Sequence, residues 1–220
     1  RELYFDIEFQ KYLQFTFYKQ WNKLKAYVNS LGIRMIGDIP IYVAMDSADA
    51  WANPSLFQLD EKNVPYAVAG CPPDGFSATG QLWGNPLYRW EYHRQTGYEW
   101  WLKRLSHCFK LYDAVRIDHF RGFDQYYSIP YGAEDATRGH WEQGPGIDLF
   151  NRVRQVLGEK EVIAEDLGYV TDSVRKLVYD SGFPGMKVLE FAFDSRDSGC
   201  ANDYLPHNYP ENSVAYTGTH

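Results

Sequence analysis

Four short apolar runs, each closed by a polar side chain near its carboxyl end, constrain this chain most. IRMIGDIPIYVA carries Asp38, DAVRIDHF carries Asp118, EVIAEDLG carries Glu165, and VAYTGTH ends on His220. Their β-branched residues and turn formers mark buried strands. A further run, MKVLEFAF over 186–193, predicts another. Amphipathic stretches lie between them. Phe9, Leu13, Phe17, Trp21, Leu24, Val28 and Leu31 recur at three- and four-residue steps and predict a first helix ended by Gly32. Trp101, Leu105, Phe109 and Tyr112 share one face of a second, over 98–112. A third spans roughly Leu149 to Leu157. A fourth carries Val174, Leu177 and Val178 between a Thr171 or Asp172 cap and Gly182.

Strands alternating with helices predict an α/β fold with a parallel sheet. Polar residues at strand ends match the active face of a (β/α)8 TIM barrel. A doubly wound sheet also places polar groups there, but no Gly-rich nucleotide fingerprint supports its dinucleotide-binding form. About five strand candidates are too few for a closed barrel, so the barrel is expected to be incomplete in this chain. Residues 46–97 show little periodicity and many Pro and Gly, and predict a long loop insertion within a single barrel domain, 1–220. A connection of that length is expected to be functional.

The formal net charge of -7 argues against nucleic acid or an anionic membrane as a partner. The Lys103–Arg104 pair reads as a solvated helix face. No apolar run reaches membrane-spanning length. Cys71, Cys108 and Cys200 are odd in number and widely spaced, giving no disulfide framework and no metal motif; a reducing compartment fits. His93, His107 and His140 also lack metal spacing and read as surface or core residues. The aromatic content of 17% serves either a large core or platforms for apolar sugar faces, and composition leaves both open.

Arg116 and Asp118, two apart on a strand, face the same side. A carboxylate beside a guanidinium stays ionised, which suits a nucleophile, although a structural ion pair has the same signature. Glu165 follows Val162, Ile163 and Ala164. Partial burial there raises its pKa and suits a general acid; a strand-end residue bonded to loop amides is the other reading. Asp118 and Glu165 together form the kind of carboxylate pair that retaining glycoside chemistry needs. His119 reads as a satisfied structural histidine, and Asp166 as a loop support. Asp38 binds a sugar hydroxyl or bonds to amides around Ile39 and Ile41. Asp74, Gln81, Trp83 and Asn85 either clasp an oligosaccharide or stabilise their own loop.

GDIPIYVAMDSADAWANPSLFQLD, PPDGFSATGQLWGNPLY, DAVRIDHFRGF, GPGIDLF, VIAEDLG and SVAYTGTH resemble, in family order, the 4-alpha-glucanotransferases (amylomaltases or disproportionating enzymes), glycoside hydrolase family 77 of the alpha-amylase superfamily. The resemblance implies a (β/α)8 barrel with Asp118 as nucleophile and Glu165 as general acid/base. It implies Arg116 beside the nucleophile, Asp38 and His220 on the substrate, and Trp83 in a loop enclosing the glucan. It implies α-1,4-glucans and maltooligosaccharides as substrates, glucose as an acceptor, and no metal or organic cofactor. It implies a cytoplasmic enzyme, or a plastid one in a plant or alga. An α-amylase-like hydrolase and a non-catalytic glucan-binding barrel are the alternatives. Gly75 stands where family members often carry Tyr or Ala. The family motif continues past TGTH with an aspartate, whereas this chain stops at His220, so a fragment that is inactive alone is expected.

Overall fold

The computed structural model describes residues 3–75, 77–168, 170–193 and 202–219. In chain order the elements are α1 (Tyr4–Ser30), β1 (Ile36–Pro40), α2 (Ala48–Ala52), β2 (Ala67–Cys71), β3 (Gln81–Pro86), α3 (Trp90–Gln95), α4 (Glu99–Leu111), β4 (Ala114–Asp118), β5 (Gln125–Pro130), β6 (His140–Gln143), α5 (Ile147–Leu157), β7 (Val162–Ala164), α6 (Asp172–Ser181), β8 (Gly185–Val188) and β9 (Ser213–Tyr216), with short 3-10 turns between some of them.

Strands β1, β4, β7, β8 and β9 form one parallel sheet in that order. Each new strand is added beside its predecessor, and the order never reverses. That is the winding of a (β/α)8 barrel; a doubly wound sheet has a reversal point. The register sets Asp38 beside Arg116, and Ile117 beside Ala164. One step further on lie Asp118 and Glu165, at the carboxyl ends of neighbouring strands.

The 46–97 stretch, expected as a loop, folds into α2, β2, β3 and α3. Strands β2 and β3 join β5 and β6 in an antiparallel sheet of order β3-β2-β5-β6. Its strands are weak as local signals because β2 finds its partner β5 across more than fifty residues, pairing Val68 with Ile129. The run predicted as a strand over 186–193 stops at Val188 and continues as a 3-10 turn, Leu189–Phe193.

Helix α4 explains how the outer layer is fastened. Its Trp101 and Leu105 are almost fully buried, worth roughly 1.5–3 kcal/mol apiece. Arg104 is no solvated residue. Its guanidinium donates to the Pro40 and Ile41 carbonyls at 2.7 and 3.0 Å and lies over the Trp101 ring. It thereby ties α4 to the end of β1. Behind β4, Phe120, Phe123 and Phe150 pack against one another with centroids 4.9–5.5 Å apart. Aromatics such as Phe57, Tyr88 and Trp101 are core, whereas others, among them Phe5, Trp51 and Tyr179, are exposed. Helix α6 has the expected ends: the Thr171 hydroxyl accepts from Val174 N, and Gly182 takes φ +72, a left-handed stop that glycine adopts without strain.

Helix α1 forms as predicted, yet none of its residues is buried. Its apolar stripe is partly covered only around Trp21 and Val28. There the Trp21 indole donates to the Leu111 carbonyl at 2.9 Å. Among the described residues no helix is long and apolar enough to cross a membrane.

Candidate active site

Strand β4 alternates, so Val115 and Ile117 go into the core while Arg116 and Asp118 emerge together on the other face. The Arg116 guanidinium then bridges two carboxylates. Nη1 donates to both oxygens of Asp38 at 2.8 Å, and Nη2 lies 2.9 Å from Asp118 Oδ1. Nε points at Met186 Sδ, 3.2 Å away. Burial opposes the charge on Arg116. The hydrogen bonds and charge of Asp38, with the charge of Asp118, outweigh it and hold the pKa above its usual value. Asp38 therefore bonds to a guanidinium; the amides around Ile39 and Ile41 are not its partners. The reason is inter-strand register, which places it directly opposite Arg116.

Glu165 follows β7 directly. Its Oε2 accepts the His119 N–H at 2.7 Å and its Oε1 the Leu167 N–H at 2.9 Å. Burial raises its pKa, against these two hydrogen bonds; the Asp118 charge adds to the rise and Arg116 reduces it. A carboxyl group held this way keeps a proton to higher pH than an exposed glutamate and is suited to donate it. Asp166 diverges, as alternation requires. Its Oδ1 accepts Met186 N at 2.8 Å, and a Cβ on Gly185 would meet its carboxylate at 2.6 Å. It supports β8.

His119 departs from expectation. It is the first residue past β4, its φ is +55, and its Nε2 is buried without a hydrogen-bond partner. The ring stands edge-to-face on Trp83, with centroids 4.8 Å apart. Trp83 of β3 is thus set beside the residue whose amide bonds to Glu165. The Trp83 indole donates to Gln81 Oε1 at 2.9 Å, Asn85 donates to the Val43 carbonyl at 2.8 Å, and Asp74 Oδ1 accepts Ser77 N. These three polar residues brace the hairpin. Tyr42, which alternation along the first strand run could have marked, lies against both Trp83 and His119. Exposed Gly75 leaves the hairpin without a side chain at that position. His220 lies outside the described residues.

The opposite end of the parallel sheet offers no rival. A cavity of about 540 Å³ opens there beside Ile36, Ala114 and Val162. Its Glu159 and Glu161 are engaged by Arg154 and Arg34. Among the described residues no group of three or more His, Cys, Asp or Glu is placed to hold a metal ion.

The family model for glycoside hydrolase family 77, described as 4-alpha-glucanotransferase, matches residues 1–220. The chain belongs to the 4-alpha-glucanotransferase family. Within that family it is 52% identical over 220 residues to the 4-alpha-glucanotransferase of Clostridium butyricum, covering all of this chain and 45% of that protein. It is 54% identical over 212 residues to that of Streptococcus pneumoniae TIGR4, covering 96% of this chain and 41% of that protein. The solved amylomaltase of Streptococcus agalactiae, in complex with acarbose, superposes with a TM-score of 0.90 at 47% identity, over 94% of this chain and 41% of the other. The chain thus spans less than half the length of these 4-alpha-glucanotransferases, and its five parallel strands are a run of their TIM-barrel fold.

Proposed function

We propose that the enzyme carrying this chain transfers a segment of an α-1,4-glucan to the 4-OH of glucose or of another α-1,4-glucan, with retention of configuration. The observation that carries the reading is a pair of carboxyl groups at the ends of adjacent strands, Asp118 against the Arg116 guanidinium and Glu165 with its pKa raised by burial, in a chain matched along its length by the family. In the first step Asp118 attacks C1 and the C1–O glycosidic bond breaks. Its electron pair stays with the leaving oxygen, which takes the proton from Glu165. Glu165, now a carboxylate, removes the proton from the acceptor 4-OH. The acceptor oxygen bonds to C1, and the bond to Asp118 breaks with its electron pair returning to the carboxylate. Arg116 orients Asp118 and balances its charge. Asp38 and Trp83 take substrate contacts, as does His220 by its motif.

The domain reading follows: 1–220 is part of one catalytic barrel, with 46–97 as an excursion that roofs the site. Cys71 and Cys108 are free thiols, which supports a reducing compartment, the cytoplasm or a plastid stroma. Maltotriose given to the complete enzyme is expected to yield glucose together with longer maltooligosaccharides. Shorter products alone, with a matching rise in reducing ends, would replace this reading with an α-amylase-like hydrolase. No turnover at all would leave a glucan-binding barrel.

A further inference from the structure

His119 joins the two halves of the site. Its left-handed backbone, φ +55, is one that a non-glycine residue adopts only when its surroundings impose it. The twist has two consequences. It aims the His119 amide at Glu165 Oε2, 2.7 Å away. It also takes the side chain out of the alternation of β4 and stands it against Trp83, with ring planes 89° apart and centroids at 4.8 Å. Tyr42 flanks the same ring at 6.5 Å.

The imidazole does not work through charge or hydrogen bonding at Nε2. That atom is shut off from solvent and has no partner. Burial, followed by the charge of Arg121, lowers the ring's pKa to about 4, so it is neutral near pH 7. A buried, neutral ring without a bond at its far nitrogen acts by shape. Here the shape is an edge contact that sets where the indole lies.

We propose that His119 is a positioning residue that fixes Trp83 relative to Glu165, and so sets how the glycosyl-enzyme divides between a sugar acceptor and water. The inference rests on the transferase reading above. Water and a sugar hydroxyl surrender their proton to the same base, Glu165. Water needs nothing more, whereas a sugar must also be laid against a surface that matches its apolar face. Trp83 is an aromatic surface linked to that base through His119, and His119 is the only residue that contacts it while also bonding to Glu165 among the contacts described. Loosening the indole therefore costs transfer more than hydrolysis.

The test uses the complete enzyme on maltotriose, with longer oligosaccharides measuring transfer and new reducing ends measuring hydrolysis. His119→Gly deletes the ring, keeps the amide and adopts φ +55 without strain. It is expected to lower the transfer-to-hydrolysis ratio roughly three- to tenfold, the scale of one edge-to-face aromatic contact. His119→Phe restores a ring edge and is expected to return the ratio to within about twofold of wild type. Trp83→Ala should lower the ratio, and adding His119→Gly to it should lower it no further. An unchanged ratio in His119→Gly, or His119→Phe failing as His119→Gly does, overturns the proposal. So does a double variant whose effects multiply. A wild-type enzyme that makes no longer products overturns the transferase reading itself, which separates the two failures.

Discussion

Replacing Arg116 by lysine keeps the positive charge and removes the geometry, so it isolates what the guanidinium does. Three of its nitrogens point three ways: Nη1 to Asp38, Nη2 to Asp118 and Nε to Met186. A lysine ammonium is a single point on a flexible stem. It can satisfy Asp38 or Asp118 but cannot hold both in their present orientations. At least one charge-assisted hydrogen bond is lost, worth about 1.5–3 kcal/mol. The side chains of Asp118 and Asp38 are 48% and 61% exposed, and water screens part of the loss, so the lower end applies. About 1.5 kcal/mol on the barrier is about tenfold in rate. Single-turnover formation of the glycosyl-enzyme in the complete protein should therefore slow about tenfold in Arg116→Lys. Arg116→Ala should fall further, by about two to three decades, since it leaves two facing carboxylates without their cation. A thermal melt alongside excludes unfolding as the cause. If Arg116→Lys reacts within twofold of wild type, orientation of Asp118 by the guanidinium is not part of catalysis.

Three further outcomes are expected. Glu165→Gln should slow maltotriose turnover by about two to four decades, the range for a lost general acid, and should spare glycosyl-enzyme formation from maltosyl fluoride; equal loss with both donors would remove Glu165 from the acid role. Because burial raises the Glu165 pKa, the limb of kcat/KM on which activity falls with rising pH should lie above the ordinary glutamate range. His93 gives a stability prediction: burial lowers its pKa to about 4, so its contribution is full above the unfolded value near 6.5 and is lost as pH falls toward 4. Urea denaturation should show about 2 kcal/mol less stability from this residue at pH 5 than at pH 7. His93→Gln should lose that part of the pH dependence, and identical slopes in the two proteins would refute the assignment.

Local chemistry alone made several features of this protein legible. Two-residue alternation puts Arg116 and Asp118 on one face whatever β4 packs against. A threonine cap and a left-handed glycine bound α6 at Thr171 and Gly182. The apolar run ahead of Glu165 announced a half-buried carboxylate, and the loop motifs carried the family resemblance and with it the roles. What tertiary structure decided are the relations between segments far apart in the chain. The antiparallel sheet from 46–97 and 124–143 needed β2 to meet β5, and neither strand pays its ordering entropy alone. Asp38 could not be matched to Arg116 without the β1–β4 register, a pairing 78 residues apart. The role of His119 was hidden because strand alternation stops one residue before it. Its ring direction follows its positive φ, which goes with an amide bond to Glu165 on one side and an edge contact with Trp83 on the other. Neither neighbour is close in sequence, so no local pattern records it.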